Sequence, residues 1–201
     1  MKPLTTISGS MVALRRANVD TDQIMPKQFL KRVERTGYGE FLFHDWRRTE
    51  PDFILNRPES RMARILLTGP NFGGGSSREH APWGLQDWGF EAIVSASFGD
   101  IFRNNCTKIG LLPVTLPEEK VNRLMDLAES NPAAIATIDL AAQTLVAGDG
   151  FAFSFELDQY TKWRLLNGLD DIGLTMRHVG AIAAYEAGRP AHRPSLTAHR
   201  L

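Results

Sequence analysis

The sequence predicts an α/β layered fold in one domain, and three observations carry that expectation. Short apolar runs at Arg64-Ile65-Leu66-Leu67-Thr68, Ala92-Ile93-Val94-Ser95-Ala96 and Leu111-Leu112-Pro113-Val114 are bounded by turn-forming residues, as buried parallel strands are. Helix-period segments alternate with them at about 78–88, 98–106 and 117–130. Late in the chain Ala147-Gly148-Asp149-Gly150 supplies a hairpin turn. With 201 residues and 43% hydrophobic content, the chain is long enough to bury a sizeable core.

Taken in order, residues 4–14 alternate loosely between apolar and small polar types, the pattern of an edge or mixed strand. The next segment ends Asn18-Val19-Asp20-Thr21-Asp22-Gln23-Ile24-Met25-Pro26. Asp20 and Asp22, without further oxygen ligands, make a poor hard-cation site and suit an Asx-type turn. Residues 27–50 are basic and aromatic-rich, broken by Gly37 and Gly39. There Phe29, Tyr38, Phe41, Phe43 and Trp46 read first as core contacts. Residues 51–60, with Asn56 and Pro58, read as a connection.

The stretch 68–82 organises the rest. The strand at 64–68 runs into a loop holding Gly69, Gly73, Gly74 and Gly75, and a helix is expected to open at Ser76-Ser77-Arg78-Glu79. Successive glycines let the backbone take φ > 0 and approach a ligand closely. A helix start offers free N–H groups and a positive dipole end, and Arg78 adds a fork suited to a carboxylate or phosphate. The same residues have a purely structural reading, with Ser76-x-x-Glu79 as a capping box and the glycines as a tight turn. Two nucleotide patterns fail on the residues. No lysine follows Gly75 as a P-loop requires, and Arg78 stands where G-x-G-x-x-G needs its third glycine.

A helix then runs to about Trp88, with Gly89 closing it and Pro82 tolerable only near its start. Phe98 to Cys106 reads as a helix whose Asn104 and Asn105 satisfy backbone groups at its end or contact the central loop. Residues 117–130 form the clearest amphipathic helix, with Val121, Leu124, Leu127 and Ala128 on one face. Thr137 to Val146 and Phe151 to Leu157 read as two strands, and from Thr161 the pattern turns helical, its last helix spanning about 176–187. The polar stretch 191–201 reads as a flexible tail.

Composition narrows the function. Lys+Arg and Asp+Glu both number 23, with no basic stripe for nucleic acid and no basic amphipathic helix for a membrane surface. No apolar run reaches transmembrane length and no signal-peptide pattern opens the chain, so a soluble cytoplasmic protein is expected. The single cysteine, Cys106, excludes a disulfide framework and a Cys-rich metal or iron–sulfur site within the chain, and reads as a buried small apolar residue. The five histidines show no metal-ligand spacing.

The run from Asn71 to Ala81 resembles the Gly-Ser-Ser-Arg-Glu segment of the aconitase superfamily, in its mobile swivelling domain, and within it the small subunits of the two-chain 3-isopropylmalate dehydratases. The similarity covers most of the chain and is densest at 18–30, 69–82 and 95–113. It implies a swivelling β/β/α domain over residues 1–190. It also implies the chemistry: removal and re-addition of water, interconverting 2- and 3-isopropylmalate through 2-isopropylmaleate in leucine biosynthesis. By the resemblance Ser76 is the base, acting as an alkoxide, while Ser77, Arg78, Gly74 and Gly75 hold a substrate carboxylate. Asp20-Thr21-Asp22-Gln23-Ile24-x-Pro26 resembles the second family motif, so Asp22, Thr21 and Asn71 take supporting roles. Phe29 and Leu30 lie where aconitase has an arginine for a third carboxylate, and an apolar residue there suits a branched alkyl group. Lys31 and Arg32 adjoin them and leave the register open. The departing hydroxide needs a Lewis acid, a [4Fe–4S] cluster expected on a large-subunit partner. Two readings stay open beside this one: a related hydro-lyase acting on citraconate/methylmalate, dimethylmalate or homoaconitate, and a stand-alone anion- or nucleotide-binding module.

Overall fold

A nine-residue strand, β1 (Thr6–Leu14), is the axis of the computed structural model, which describes residues 1–31, 34–190 and 193. On one side β1 pairs parallel with β2 (Ile65–Thr68), and β3 (Ala92–Ser95) and β4 (Leu112–Thr115) follow in parallel. On the other side it pairs antiparallel with β5 (Ile135–Asp139), followed by β6 (Thr144–Ala147) and β7 (Ala152–Ser154). The resulting sheet has the order β4-β3-β2-β1-β5-β6-β7.

β1 changes partner along its length. Thr6 to Ser10 pair with β5, and Met11 to Leu14 pair with β2. The first half leaves Thr6, Ser8 and Ser10 outward, whereas the last four residues are all buried. That explains the loose alternation of 4–14. The strand is mixed, as expected, and it is central rather than an edge.

Both faces of the parallel half are covered. One carries Val12, Leu14, Leu66 and Ile93 against α1 (Thr21–Ile24), α2 (His44–Thr49), α3 (His80–Trp88) and α4 (Asp100–Ile109), with Phe43, Phe72, Leu85 and Phe102 filling the layer. The other carries Met11, Ala13, Leu67 and Val94 against α5 (Glu118–Ser130), whose Val121, Leu124, Met125 and Ala128 are buried. Two-sided burial is why these strands read as unbroken apolar runs. The chain ends in α6 (Gln159–Leu166), α7 (Asp171–Met176) and α8 (Val179–Ala187). No described helix is long and apolar enough to cross a membrane.

Several elements differ from expectation. The segment 137–146 is two strands, because the chain reverses between β5 and β6 without Gly or Pro. Asp139 Oδ1 accepts from the Ala142 N–H at 2.8 Å, and Gln143 takes the left-handed φ of 53°. Asn104 and Asn105 sit mid-helix in α4, not at its end. The last helix begins at Val179, since α7 and α8 are separate. The tail expectation for 191–201 falls, Arg193 apart, outside the described residues, as does Arg32.

Leu124, 1% exposed, sits in the α5 layer. Leu124→Ala is expected to cost about 2–5 kcal/mol, read as a lower denaturant midpoint at unchanged m-value.

Candidate active site

Three loops leave the carboxyl ends of β1, β2 and β3 together, the end of an open α/β sheet where ligands bind. The middle one, from Gly69 to Glu79, is stitched to both neighbours through backbone. On the β1 side the Asn18 N–H donates to the Pro70 carbonyl (2.9 Å), Gly73 N–H to Val19 (2.7 Å) and Thr21 N–H to the Gly74 carbonyl (3.0 Å). On the β3 side Phe72 N–H donates to Ser97 (3.1 Å) and Gly99 N–H to the Phe72 carbonyl (2.9 Å). Side chains add to the stitching. Ser97 Oγ accepts from the Asn71 N–H (2.8 Å), and Asn71 Nδ2 donates to Asn18 Oδ1 (2.9 Å).

Gly73 and Gly75 take φ of 75° and 84°, the left-handed region that glycine favours. A Cβ on Gly73 would stand 2.2 Å from the Phe102 ring. Gly74 differs: its φ is ordinary and a Cβ there would meet nothing closer than 3.6 Å. Two of the three glycines, not all three, are therefore required by conformation.

Ser76 and Ser77 follow, both exposed. The Ser76 carbonyl accepts from Thr21 Oγ1 and from the Arg78 N–H, both at 2.9 Å, which pins its backbone and leaves its side chain toward solvent. The N–H groups of Gly75, Ser76 and Ser77 donate to no group among the described residues. Arg78, half-buried, forms an ion pair with Asp22. Thr21, Asp22, Gly74, Gly75, Ser76 and Arg78 are thus brought together, and Ser77 adjoins them in sequence. Asn71 belongs to the stitching beneath them. Phe29 and Leu30 turn to the core: Phe29 stacks on Phe41 at 4.2 Å and meets His44 edge-on at 4.8 Å, and Leu30 packs half-buried on the same layer.

The helix does not open at Ser76. α3 starts at His80, Glu79 caps it without a side-chain hydrogen bond, and no capping box forms there. Pro82 gives the reason. It has no N–H to donate to the Arg78 carbonyl, so a helix begun at Ser76 would be broken in its second turn. A helix begun at His80 puts Pro82 where an N–H has no intrahelical partner anyway. The capping box lies elsewhere, at Asp20 and Gln23, with Asp20 Oδ1 accepting from Gln23 N–H (2.8 Å) and Gln23 Oε1 from Asp20 N–H (2.9 Å). The dipole end expected at Ser76 therefore falls later in the chain, at His80, and the nearby positive charge is Arg78.

His80, passed over by sequence reasoning, packs against Tyr38 (5.3 Å) and Trp83 (4.7 Å). Burial holds its imidazole below the ordinary value of 6.5, with Glu79 opposing and Arg78 reinforcing the shift. Its place in the Arg78-Glu79-His80 run was the available signal. Cys106 is fully buried, and burial pushes its thiol well up, so it offers no thiolate.

This fold is that of an aconitase C-terminal domain. Residues 1–119 match the Aconitase C-terminal domain family, and residues 122–159 match a family described as LeuD_N. Residues 171–198 match the C-terminal domain of the 3-isopropylmalate dehydratase small subunit. The chain is 56% identical to the 3-isopropylmalate dehydratase small subunit of Acidothermus cellulolyticus over 98% of this chain and all of that one. It is 51% identical to that of Rubrobacter xylanophilus over 96% and 98%. A solved 3-isopropylmalate dehydratase (leuD) from Methanocaldococcus jannaschii has the same fold, with TM-score 0.66 at 21% identity, covering 90% of this chain and 99% of that one. The chain belongs to the 3-isopropylmalate dehydratase small-subunit family.

Two outcomes are expected. Gly73→Ala, which adds a left-handed alanine and a clash with Phe102, should lower Tm by roughly 4 °C or more, whereas Gly74→Ala should shift it by about 1 °C or less. For His80, the unfolded chain binds a proton near pH 6.5 and the folded chain only at lower pH. Stability should therefore fall as pH drops below about 6.5, and His80→Gln should flatten that slope in denaturation curves taken across the range.

Proposed function

We propose that this chain works as the small subunit of 3-isopropylmalate dehydratase in leucine biosynthesis, supplying the Ser76 loop to a site completed by a large-subunit partner. The observation that carries the mechanism is that loop: an exposed serine on a pinned backbone, three free N–H donors around it, and Arg78 held beside it by Asp22.

The reaction removes water from 2-isopropylmalate to give 2-isopropylmaleate and returns it at the neighbouring carbon to give 3-isopropylmalate. Taking a proton from a carbon next to a carboxylate places negative charge on that carboxylate in the transition state. Donors already fixed in position are what lower such a barrier. Ser76 takes the proton on Oγ and returns it in the reverse direction. An unassisted hydroxyl is too weak a base, and here its charged form is favoured by Arg78 and by the free N–H groups of the loop. Ser77 and Arg78 bind the substrate carboxylate, and Asp22 holds the guanidinium in place until it does. Leu30 packs half-buried on the core layer with Phe29, and the edge it keeps exposed suits the alkyl branch and gives a third carboxylate no partner.

The chain's own donors do not fit an iron–sulfur cluster. Its one thiol is buried and held protonated, and no group of three or more His, Cys, Asp or Glu converges among the described residues. The [4Fe–4S] Lewis acid falls to the large subunit.

The test is hydration of 2-isopropylmaleate by the chain alone and mixed with the cluster-loaded large subunit from the same source, with citraconate and cis-aconitate alongside. Activity is expected only in the mixture and selective for 2-isopropylmaleate. Ser76→Ala should reduce kcat by about 10²–10⁴-fold, and Asp22→Asn should raise KM more than it lowers kcat. Turnover of citraconate in preference would replace the substrate, and full activity of the isolated chain would overturn the two-subunit reading.

A further inference from the structure

Exposed apolar side chains are not spread evenly over this molecule. Six of the eleven large ones exposed among the described residues (Tyr160, Trp163, Ile172, Met176, Val179, Tyr185) lie within α6, α7 and α8, between 160 and 185. Ile172 is 74% exposed and Tyr185 62%. α8 reads Val-Gly-Ala-Ile-Ala-Ala-Tyr-Glu-Ala, apolar on every side except at Glu186, and none of its residues is buried. A helix of that composition belongs in an interior. Gly180, in its first turn, has no described residue outside its own helix within 4 Å of where a Cβ would stand. Nothing in the packing of the described residues calls for a glycine there.

We propose that α7 and α8 form a docking arm that packs against the large subunit alongside the Ser76 loop. The inference rests on the small-subunit reading above and adds the surface through which it operates. Two observations choose the large subunit as the occupant. The first is continuity. A cleft of about 380 Å³ is lined by Glu79 at the end of the Ser76 loop, with Arg35 and Trp83, and by Asp170, Asp171 and Ile172 of α7 and its cap. A partner that covers the serine loop reaches α7 by crossing this cleft. The second is modular. The match to the aconitase C-terminal domain ends at residue 119, whereas residues 171–198 match a unit described for the small subunit. The apolar arm accompanies the form of this domain that has to find its partner as a separate chain.

The test titrates full-length small subunit into the large subunit from the same source and reads Kd from complex formation, with kcat for 2-isopropylmaleate hydration at saturation. Ile172→Asp with Tyr185→Asp should raise Kd at least about tenfold. Because both positions are exposed, the Tm of the isolated chain and kcat at saturation should stay near wild type. Ile135→Asp, an exposed apolar site on the outer face of β5, serves as comparator. Unchanged Kd in the double variant, or an equal loss in the comparator, overturns the docking arm while leaving the proposed function standing. A wild-type pair that neither associates nor turns over substrate overturns the small-subunit reading instead. Loss of self-association by the isolated chain at unchanged Kd assigns the patch to a second copy and overturns the proposal.

Discussion

The site depends on how closely backbone approaches backbone at Gly73. Its N–H reaches the Val19 carbonyl at 2.7 Å, while the Phe102 ring occupies the place a side chain would need. On the far side a Cβ on Gly99 would stand 2.6 Å from the Gly73 carbonyl oxygen. The loop after β2 is therefore wedged between the loops after β1 and β3, with no slack for a methyl group at the contact. The wedge faces a core of large apolar rings, Phe72 and Phe102 meeting edge to face at 5.4 Å. A serine carried on a segment fixed this way keeps its place without help from its own side chain, which is left free for chemistry.

Electrostatics at the site follow from the same fixed frame. The Asp22 carboxylate lies on α1, whose start is set by the Asp20–Gln23 capping box and whose Thr21 hydroxyl holds the Ser76 carbonyl. One short helix thus positions both the serine and the arginine. The Arg78–Asp22 pair has a half-exposed carboxylate, so its net stabilisation is small, about 0–1 kcal/mol. A weak pair of this kind keeps the guanidinium oriented yet costs little to break. With no helix start at Ser76, the positive character near the serine comes from Arg78 and from loop N–H groups that donate to nothing among the described residues, and not from the dipole end that local sequence grammar implies.

The parallel half of the sheet was legible because it is buried on both faces, and such strands announce themselves as apolar runs with turn-formers at each end. The helix at 118–130 was legible for the complementary reason, one buried stripe and one solvated. What failed were features decided by single residues acting against local grammar. Ser76-x-x-Glu79 has the letters of a capping box, yet Pro82 a few residues on forbids the helix it would cap. The β5–β6 reversal carries no glycine or proline because Gln143 itself accepts a left-handed φ. In the site, the Ser76 run and the Asp22 motif were legible from adjacent residues. The packing of His80 was not, because its aromatic neighbour Tyr38 lies far back in the chain, whereas Phe29 stacks on Phe41 in keeping with its first reading as a core contact.

The mid-strand change of partner in β1 links the two ends of the molecule. Its first half is committed to β5 and the antiparallel strands, and its second half to β2 and the site. The antiparallel strands consequently lie toward the end of β1 remote from the serine loop, and the chain leaving β7 must travel back to reach it. It does so in steps. The Leu4 N–H donates to the Leu165 carbonyl at 2.9 Å, tying α6 beside the start of β1, and α7 then lines the same cleft as Trp83 and Glu79. A chain needing only the seven-stranded sheet could end at β7. This one continues through three helices that expose Tyr160, Trp163, Ile172, Met176, Val179 and Tyr185, and the start of α7 comes back to the cleft beside the serine loop.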